Sequence, residues 1–396
     1  MERFIGTTSR GLRAPIIREG DDIVTIVVDA VVKAVESEKI QLMDKDVVSV
    51  TEAVVARAQG NYATADDVAE DVKAKFGDDT IGVIFPILSR NRFSVCLKGI
   101  ARGAKKIVLM LSYPGDEVGN ELVSLDLLDE KGIDPYKDVI TESRYRELFG
   151  NVKHQFTGVD YVEFYKDTIE NEGCIAEIIL ANDCRAILGY TKSVLNCDIH
   201  SRKRTKRLLE KAGVEKLYSL TDILSAPVNG SGYNEEYGLL GSNKATEDSI
   251  KLFPRDCQPI VDAIQESLYS YSGKKIEVMV YGDGAFKDPV GGIWELADPV
   301  VSPAYTEGLI GQPNEIKLKY IADNEFAHLS GAELKAAITE YINNKDSDLY
   351  GSMTAEGTTP RRLTDLLGSL SDLTSGSGDK GTPIVLIQGY FDSYAK

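Results

Sequence analysis

Two carboxylates and an ammonium group fall on one glycine-rich segment of the sequence, and together they have the chemistry of a metal–phosphate site. The acids are Asp283 and Asp288, the ammonium belongs to Lys287, and glycines stand at 282, 284, 291 and 292. Glycine lets a backbone approach a ligand closely. Hard cations such as Mg²⁺ and Mn²⁺ take carboxylate and phosphate oxygens together. The residues therefore predict a site for a divalent cation and phosphate, and the alternative interpretation is an ordinary turn with solvated acids.

A buried strand must carry this segment, because Ile276 to Tyr281 is apolar at nearly every position. Elsewhere helix-like and strand-like stretches alternate, which is typical of an α+β, or mixed α/β, fold. The sequence has neither a P-loop nor a GxGxxG fingerprint, so a classical dinucleotide-binding fold is disfavoured. Further predicted elements are a helix at Ile23–Ser37 capped by Asp22, strands at Asp46–Val50, Ile316–Ile321 and Pro383–Gln388, and a helix at Leu363–Leu373.

Two other groups of polar residues are candidates for ligand binding. Thr51 and Glu52 follow a predicted strand and could line a nucleotide, or they could simply be the polar end of a core strand. A basic stretch then stands out in an acidic chain. Its cations could converge on carboxylates or phosphates, and the alternative is a solvated surface; they are Arg90, Arg92, Lys98 and Arg102.

Composition narrows the class of protein. The 396 residues are enough for two domains or for one domain with a large insertion. The net charge of −17 argues against a nucleic-acid or anionic-membrane partner. No apolar run approaches the ~20 residues that span a bilayer, and the first residues lack the apolar region of a signal peptide. The five scattered cysteines fit neither a zinc site nor a disulfide framework. We therefore expect a cytoplasmic protein.

Four stretches, in their shared order, resemble the coenzyme F420-0:γ-glutamyl ligase family, which joins glutamate to a carboxylate with GTP and a divalent metal. Each occupies the place of a family element: the opening turn, a strand with its following helix, the strand that leads to the metal loop, and the last helix and strand. They are Glu19–Asp22, Lys45–Gly60, Ile276–Trp294 and Leu363–Gln388.

The resemblance implies the organisation and the reactants. The fold would be a two-domain α+β fold with a ligase-like core at 1–75 and 235–396. Residues 76–234 would be an inserted α/β subdomain and a candidate for binding the acceptor. L-Glutamate would be added to coenzyme F420-0 through an acyl phosphate, with ATP or GTP as co-substrate, Mg²⁺ or Mn²⁺ as metal, and a homodimer as the assembly. Folate or another carboxylate acceptor is an alternative, as is a homologue that binds nucleotide without ligase turnover.

The resemblance also assigns site residues. Asp283 matches the family's metal-binding aspartate, with Asp288 and Glu356 as further metal ligands. Catalytic roles go to Asp283, Lys287 and Arg57, the last of which keeps a positive charge where the family has lysine. Substrate carboxylates would be bound by the four cations of the basic stretch. Nucleotide contacts are expected from Thr51, Ser242, Asn243, Thr358, Thr359 and Arg361, and for the last three the alternative is a plain loop.

Two positions depart from the family pattern. Leu240 and Gly241 stand where the family has an acid before its Ser-Asn pair, so that metal ligand would have to come from Glu235, Glu236, Glu247 or Asp248 instead. Ala53 stands where the family has a lysine near the nucleotide phosphate. These departures predict an altered nucleotide or acceptor, or lost activity.

Overall fold

The computed structural model describes residues 4–284, 297–356, 361–376 and 378–395. Its strands are β1 (Thr8–Leu12), β2 (Val47–Thr51), β3 (Tyr62–Thr64), β4 (Ile81–Ile84), β5 (Lys106–Leu111), β6 (Ile140–Thr141), β7 (Ile175–Leu180), β8 (Ser193–Asn196), β9 (Lys216–Ser219), β10 (Asn243–Lys244), β11 (Ser249–Lys251), β12 (Glu277–Tyr281), β13 (Ala304–Tyr305) and β14 (Ile384–Gln388).

Its α-helices are α1 (Ile23–Glu38), α2 (Glu52–Ala58), α3 (Ala65–Phe76), α4 (Phe93–Arg102), α5 (Leu125–Lys131), α6 (Glu142–Phe149), α7 (Tyr161–Glu170), α8 (Arg202–Lys211), α9 (Cys257–Ser272), α10 (Leu318–Asn324), α11 (Gly331–Asn343) and α12 (Leu363–Thr374). Within the described ranges, no helix has the length and apolar character needed to cross a bilayer.

The predicted mixed α/β class is confirmed. One sheet has the order β1-β14-β2-β12-β13, in which β2 and β12 are parallel and the other neighbours antiparallel. Helices α1 and α9 cover one face of this sheet, and α12 covers the other. Strands buried on both faces need continuous apolar sequences, and β14, Ile-Val-Leu-Ile-Gln, is buried at every position.

A second sheet has the order β6-β7-β5-β4-β8-β9 and is parallel except for the edge strand β6. From β4 the chain adds β5 and β7 on one side, then β8 and β9 on the other. This is the strand order of a doubly wound fold, with its reversal between β4 and β8. The absence of a GxGxxG motif did not exclude this strand order, because the motif indicates a phosphate-binding turn and not the order of strands in the sheet.

At the carboxyl end of this second sheet, the protein itself supplies an acid. Ligands of doubly wound sheets commonly bind at the reversal point, against a helix N-terminus. Here the Glu117 carboxylate accepts hydrogen bonds from the backbone of Ile199, at 2.8 Å, and of His200, at 3.1 Å, just before α8. An internal acid thus occupies the usual anion position.

Several element predictions can be checked directly. The helix capped by Asp22 is confirmed, since the Asp22 side chain accepts from the Val24 and Thr25 backbones at the start of α1. The predicted strand Ile316–Ile321 is wrong: Ile316 forms one bridge with Ala355, and a helix begins at Leu318. The proposed division at 76–234 stays a prediction. The second sheet lies inside that segment, and its apolar core continues into α3 and into residues 220–253.

Candidate active site

The site forms where two parallel strands end side by side. Tyr281, the last residue of β12, lies opposite Thr51, the last residue of β2. Both chains then leave the sheet at the same edge, β2 into α2 and β12 into Gly282-Asp283-Gly284. Parallel strands place the residues that follow them at one edge. The predicted position of Asp283 at a strand's carboxyl end is therefore confirmed.

Glycines 282 and 284 permit close approach to two acids. The Asp283 backbone N–H donates to Asp298 Oδ2 at 2.7 Å, and the Gly284 N–H donates to Asp372 Oδ2 at 3.1 Å. A Cβ on Gly282 would lie 2.3 Å from Asp298 Oδ2, and one on Gly284 would lie 2.7 Å from the Ser369 Cα. Any side chain at these positions would push the acids away, so the glycines are needed for the packing of the loop.

Arg92 joins the second sheet to this loop. It immediately precedes α4, and its guanidinium bridges two carboxylates: Nη1 lies 2.8 Å from Asp298 Oδ1 and Nη2 lies 2.6 Å from Asp283 Oδ2. The side chain of Asp298 is only 1% exposed. Burial disfavours the charge of Arg92, but Asp298 and Asp283 more than offset it and raise the pKa of Arg92. The charge on this bridge is therefore permanent.

A second buried ion pair lies beside this bridge. Lys251 Nζ contacts Glu52 Oε1 at 2.9 Å and Oε2 at 2.8 Å, with side-chain exposures of 12% and 9%. Burial raises the pKa of Glu52, Lys251 opposes that shift, and the charge of Asp298 adds to it. Lys251 brings an ammonium group from β11 to the start of α2, next to the position where Ala53 replaces the expected lysine.

Two further polar groups face the same region from beneath. Burial raises the pKa of Asp372, with the charge of Asp298 adding to the effect. Burial also raises the pKa of Tyr281, and the neighbouring hydroxyls of Ser375 and Thr51 oppose that rise.

The four predicted substrate cations do not converge. Lys98 and Arg102 lie one turn apart on α4 and share an acid, Asp248, at 2.8 and 3.0 Å. Arg90 is exposed and lies towards His154, whose pKa is lowered by burial and by the charge of Arg90. Of the four, Arg92 is the one that contacts Asp283.

The predicted Ser-Asn pair lies close to the site. Ser242 Oγ is buried, 3.2 Å from Cys96 Sγ, and it lines a cavity of about 30 Å³ together with Arg92. Asn243 pairs with Lys251 between β10 and β11. The pair is thus next to both cations of the site, through Arg92 on one side and Lys251 on the other.

The remaining predicted residues are dispersed or lie outside the described ranges. Arg57 and Arg361 are exposed. Glu356 is also exposed, and its backbone N–H donates to Glu315 O at 2.7 Å. The residues outside the described ranges are Lys287, Asp288, Thr358 and Thr359.

The donor set suits a hard cation, with one obstacle. Asp283 and Asp298 each present a carboxylate oxygen to a different terminal nitrogen of Arg92, at 2.6 and 2.8 Å, and Mg²⁺ or Mn²⁺ prefers such oxygens. Among the residues that the structure describes, no group of three or more His, Cys, Asp or Glu is arranged to hold a metal. The carboxylates fit a divalent ion chemically, provided that Arg92 withdraws.

Sequence reasoning missed three residues of the site. Asp298 lies only a few residues after the stretch Ile276–Trp294, and the turn-forming pair Asp298-Pro299 was the one feature of the sequence that marked it. Asp372 sits on a helix whose pattern looks like an ordinary amphipathic surface, and Lys251 sits on a three-residue strand. Their roles depend on long-range packing, which local patterns do not encode.

Comparison with known proteins gives one family. The family model described as F420-0:Gamma-glutamyl ligase matches residues 11–389. No curated protein matches the chain. The matched range includes all the strands given above except part of β1.

Proposed function

Because the chain belongs to the F420-0:gamma-glutamyl ligase family, we propose that it is an ATP- or GTP-dependent, divalent-metal-dependent ligase that adds L-glutamate to a carboxylate acceptor, with coenzyme F420-0 as the first acceptor to test. Family membership over nearly the whole chain is the observation that carries the proposal. The position of Asp283, with Asp298 and Arg92, at the paired ends of β2 and β12 supports it.

The acceptor carboxylate must first be activated, because a carboxylate does not acylate an amine at neutral pH. An oxygen of the acceptor carboxylate attacks the terminal phosphorus of the nucleotide, and the nucleoside diphosphate leaves with the electron pair of the broken P–O bond. The glutamate nitrogen then forms the C–N bond at the acyl carbon. Inorganic phosphate leaves, and the amine loses a proton. Such chemistry is catalysed mainly by placement and by neutralisation of charge.

The residues of the site have distinct parts in this proposal. Asp283 and Asp298 would hold a Mg²⁺ or Mn²⁺ ion, which when bound neutralises phosphate oxygens. Lys251 and Arg92 place positive charge at the same strand ends, where phosphate or substrate carboxylates would be oriented. Lys98 and Arg102 contact Asp248, whereas Arg92 contacts Asp283 itself, so we place substrate contact first at Arg92. The homodimer is likewise proposed, from the family resemblance.

The test is an amide-formation assay. Purified protein is incubated with L-glutamate, F420-0 or a folate, ATP or GTP, and Mn²⁺ or Mg²⁺, and glutamylated product and phosphate are measured together. We expect product with wild type and a loss of at least about 100-fold with Asp283→Asn, as is usual when a transition-state charge contact is removed. Asp44→Asn, an exposed acid paired with Lys274, is the control and should retain activity.

A second candidate is nucleotide binding without turnover. The observation in its favour is that the Arg92 guanidinium contacts both Asp283 and Asp298, so that both carboxylates are already paired with a cation. Under this alternative, ATP or GTP would raise the thermal midpoint with Mn²⁺ present, but no acceptor would yield a glutamylated product.

A further inference from the structure

Arg92 has the position and the charge of a cation held by the metal-site carboxylates. Its two terminal nitrogens contact Asp298 and Asp283 separately, at 2.8 and 2.6 Å. Asp298 is also fixed from its other side, where Oδ2 accepts the Asp283 N–H. One guanidinium therefore balances both carboxylates, and a divalent ion bound to the oxygens that face Arg92 would need the space of the guanidinium.

The backbone that carries Arg92 is held firmly, so an exchange must occur by movement of the side chain. The Arg92 N–H donates to Ser89 Oγ at 3.0 Å. Helix α4, which follows, packs closely on α3: a Cβ on Gly99 would lie 2.6 Å from the Val68 Cβ. Arginine has several rotatable bonds, and its side chain here is 19% exposed. Movement of the guanidinium therefore needs only rotation about its own side-chain bonds and no unfolding of the helix.

We propose that Arg92 and a divalent cation compete for Asp283 and Asp298, so that Arg92 occupies the cation position in the metal-free protein and is released when the metal binds. The inference rests on the proposed function, since metal use is part of it. Two cations cannot share these oxygens at contact distance without strong mutual repulsion. Occupation by one therefore excludes the other.

Release would give Arg92 a second role as a positioning residue. A freed guanidinium on a fixed backbone remains beside the site, and its planar donors match phosphate or carboxylate oxygens in pairs. Metal binding would thus make a substrate-binding cation available. By linkage, metal and an anionic nucleotide would then strengthen each other's binding, and Arg92 would carry part of that coupling.

The competition is tested by measuring Mn²⁺ binding in the absence of nucleotide, with the free ion monitored by electron paramagnetic resonance. We expect Arg92→Ala to bind Mn²⁺ about tenfold more tightly than wild type or better, since the ion no longer displaces charge-assisted hydrogen bonds. Arg92→Lys should lie between the two, because an ammonium group cannot bridge both acids in the same way. Arg146→Ala is the matched control: Arg146 is similarly buried against Asp160, in the second sheet's helical layer, and the affinity should not change.

The outcomes separate the inference from the function on which it rests. If wild type binds Mn²⁺ measurably and Arg92→Ala binds it no more tightly, the proposed competition is wrong. The proposed metal-dependent ligase activity is not contradicted by that result. Absence of Mn²⁺ binding by every variant, including in the presence of GTP or ATP, contradicts both. If Arg92→Ala does not fold, Arg92→Lys decides, and affinity no greater than that of wild type overturns the proposal. Methylguanidinium should weaken Mn²⁺ binding to Arg92→Ala and leave wild type unchanged.

Discussion

Replacement of Lys251 by methionine tests the electrostatics of the site without any assumption about substrates. The change keeps the apolar stem of the side chain and removes the ammonium group that pairs with Glu52. Both side chains are nearly buried, at 12% and 9% exposure. Breaking a buried pair by removal of one partner costs about 3–5 kcal/mol, and the residual exposure places this pair near the lower limit, at about 3 kcal/mol at pH 8.

The loss of unfolding free energy in Lys251→Met should depend on pH. Burial already raises the pKa of Glu52, and Lys251 opposes that rise, so removing Lys251 raises the pKa further. Between the unfolded pKa of Glu52 and its raised folded value, the folded variant binds more protons than the unfolded chain. Its free energy of unfolding therefore falls as pH rises through that window. The penalty should be smaller at pH 5 than at pH 8.

Urea unfolding followed by circular dichroism at both pH values provides the measurement. The control is Lys33→Met, because Lys33 and Asp29 form an exposed pair, 77% and 58% exposed, for which a change of about 0.5 kcal/mol or less is expected. The double variant Glu52→Gln/Lys251→Met should recover most of the loss. A Lys251→Met penalty at pH 8 no larger than the Lys33→Met change, or one independent of pH, would refute the reasoning.

Three further outcomes are expected. Gly282→Ala should lower Mn²⁺ affinity at least about tenfold, since its Cβ would lie 2.3 Å from Asp298 Oδ2, whereas Gly189→Ala, with open space around it, should not; equal affinities would contradict the packing argument. Burial raises the pKa of Asp198 from 3.8 to about 7, so the wild-type unfolding free energy should fall as pH rises between these values, and Asp198→Asn should flatten that fall in urea titrations. Native protein should react far more slowly with Ellman's reagent at pH 8 than guanidinium-unfolded protein, because all the cysteines are buried. Burial also raises their thiol pKa values, to about 11 or 12 for Cys96, Cys174, Cys184 and Cys257. Rapid labelling of the native state would contradict the burial of these thiols.

Elements with strong local signals could be predicted from the sequence. The helix after Asp22 has a cap and a continuous apolar stripe, and the structure places it at Ile23–Glu38. The strand before Asp283 is short, apolar and ended by glycine, and it forms Glu277–Tyr281. Local chemistry determined both elements, so local reasoning sufficed.

Elements with ambiguous or nonlocal signals could not. The segment Ile316–Ile321 alternates apolar and basic residues as a strand does, but six residues are too few to separate a period of 2 from one of 3.6. Ile316, Tyr320 and Ile321 instead join a small cluster with residues of α11. At the site, Arg92 meets Asp283 across 191 positions of sequence, and only the packing of two sheets brings them together.

The position of β14 in its sheet has a consequence for biosynthesis. It lies between β1 and β2, yet it follows every other strand in chain order. Strands β1 and β2 therefore emerge from the ribosome long before β14, and until then the edges that pair with β14 lack their native partner. Unpaired edges of this kind invite association between nascent chains. Chaperone capture during translation should accordingly persist until the β14 residues have emerged from the exit tunnel.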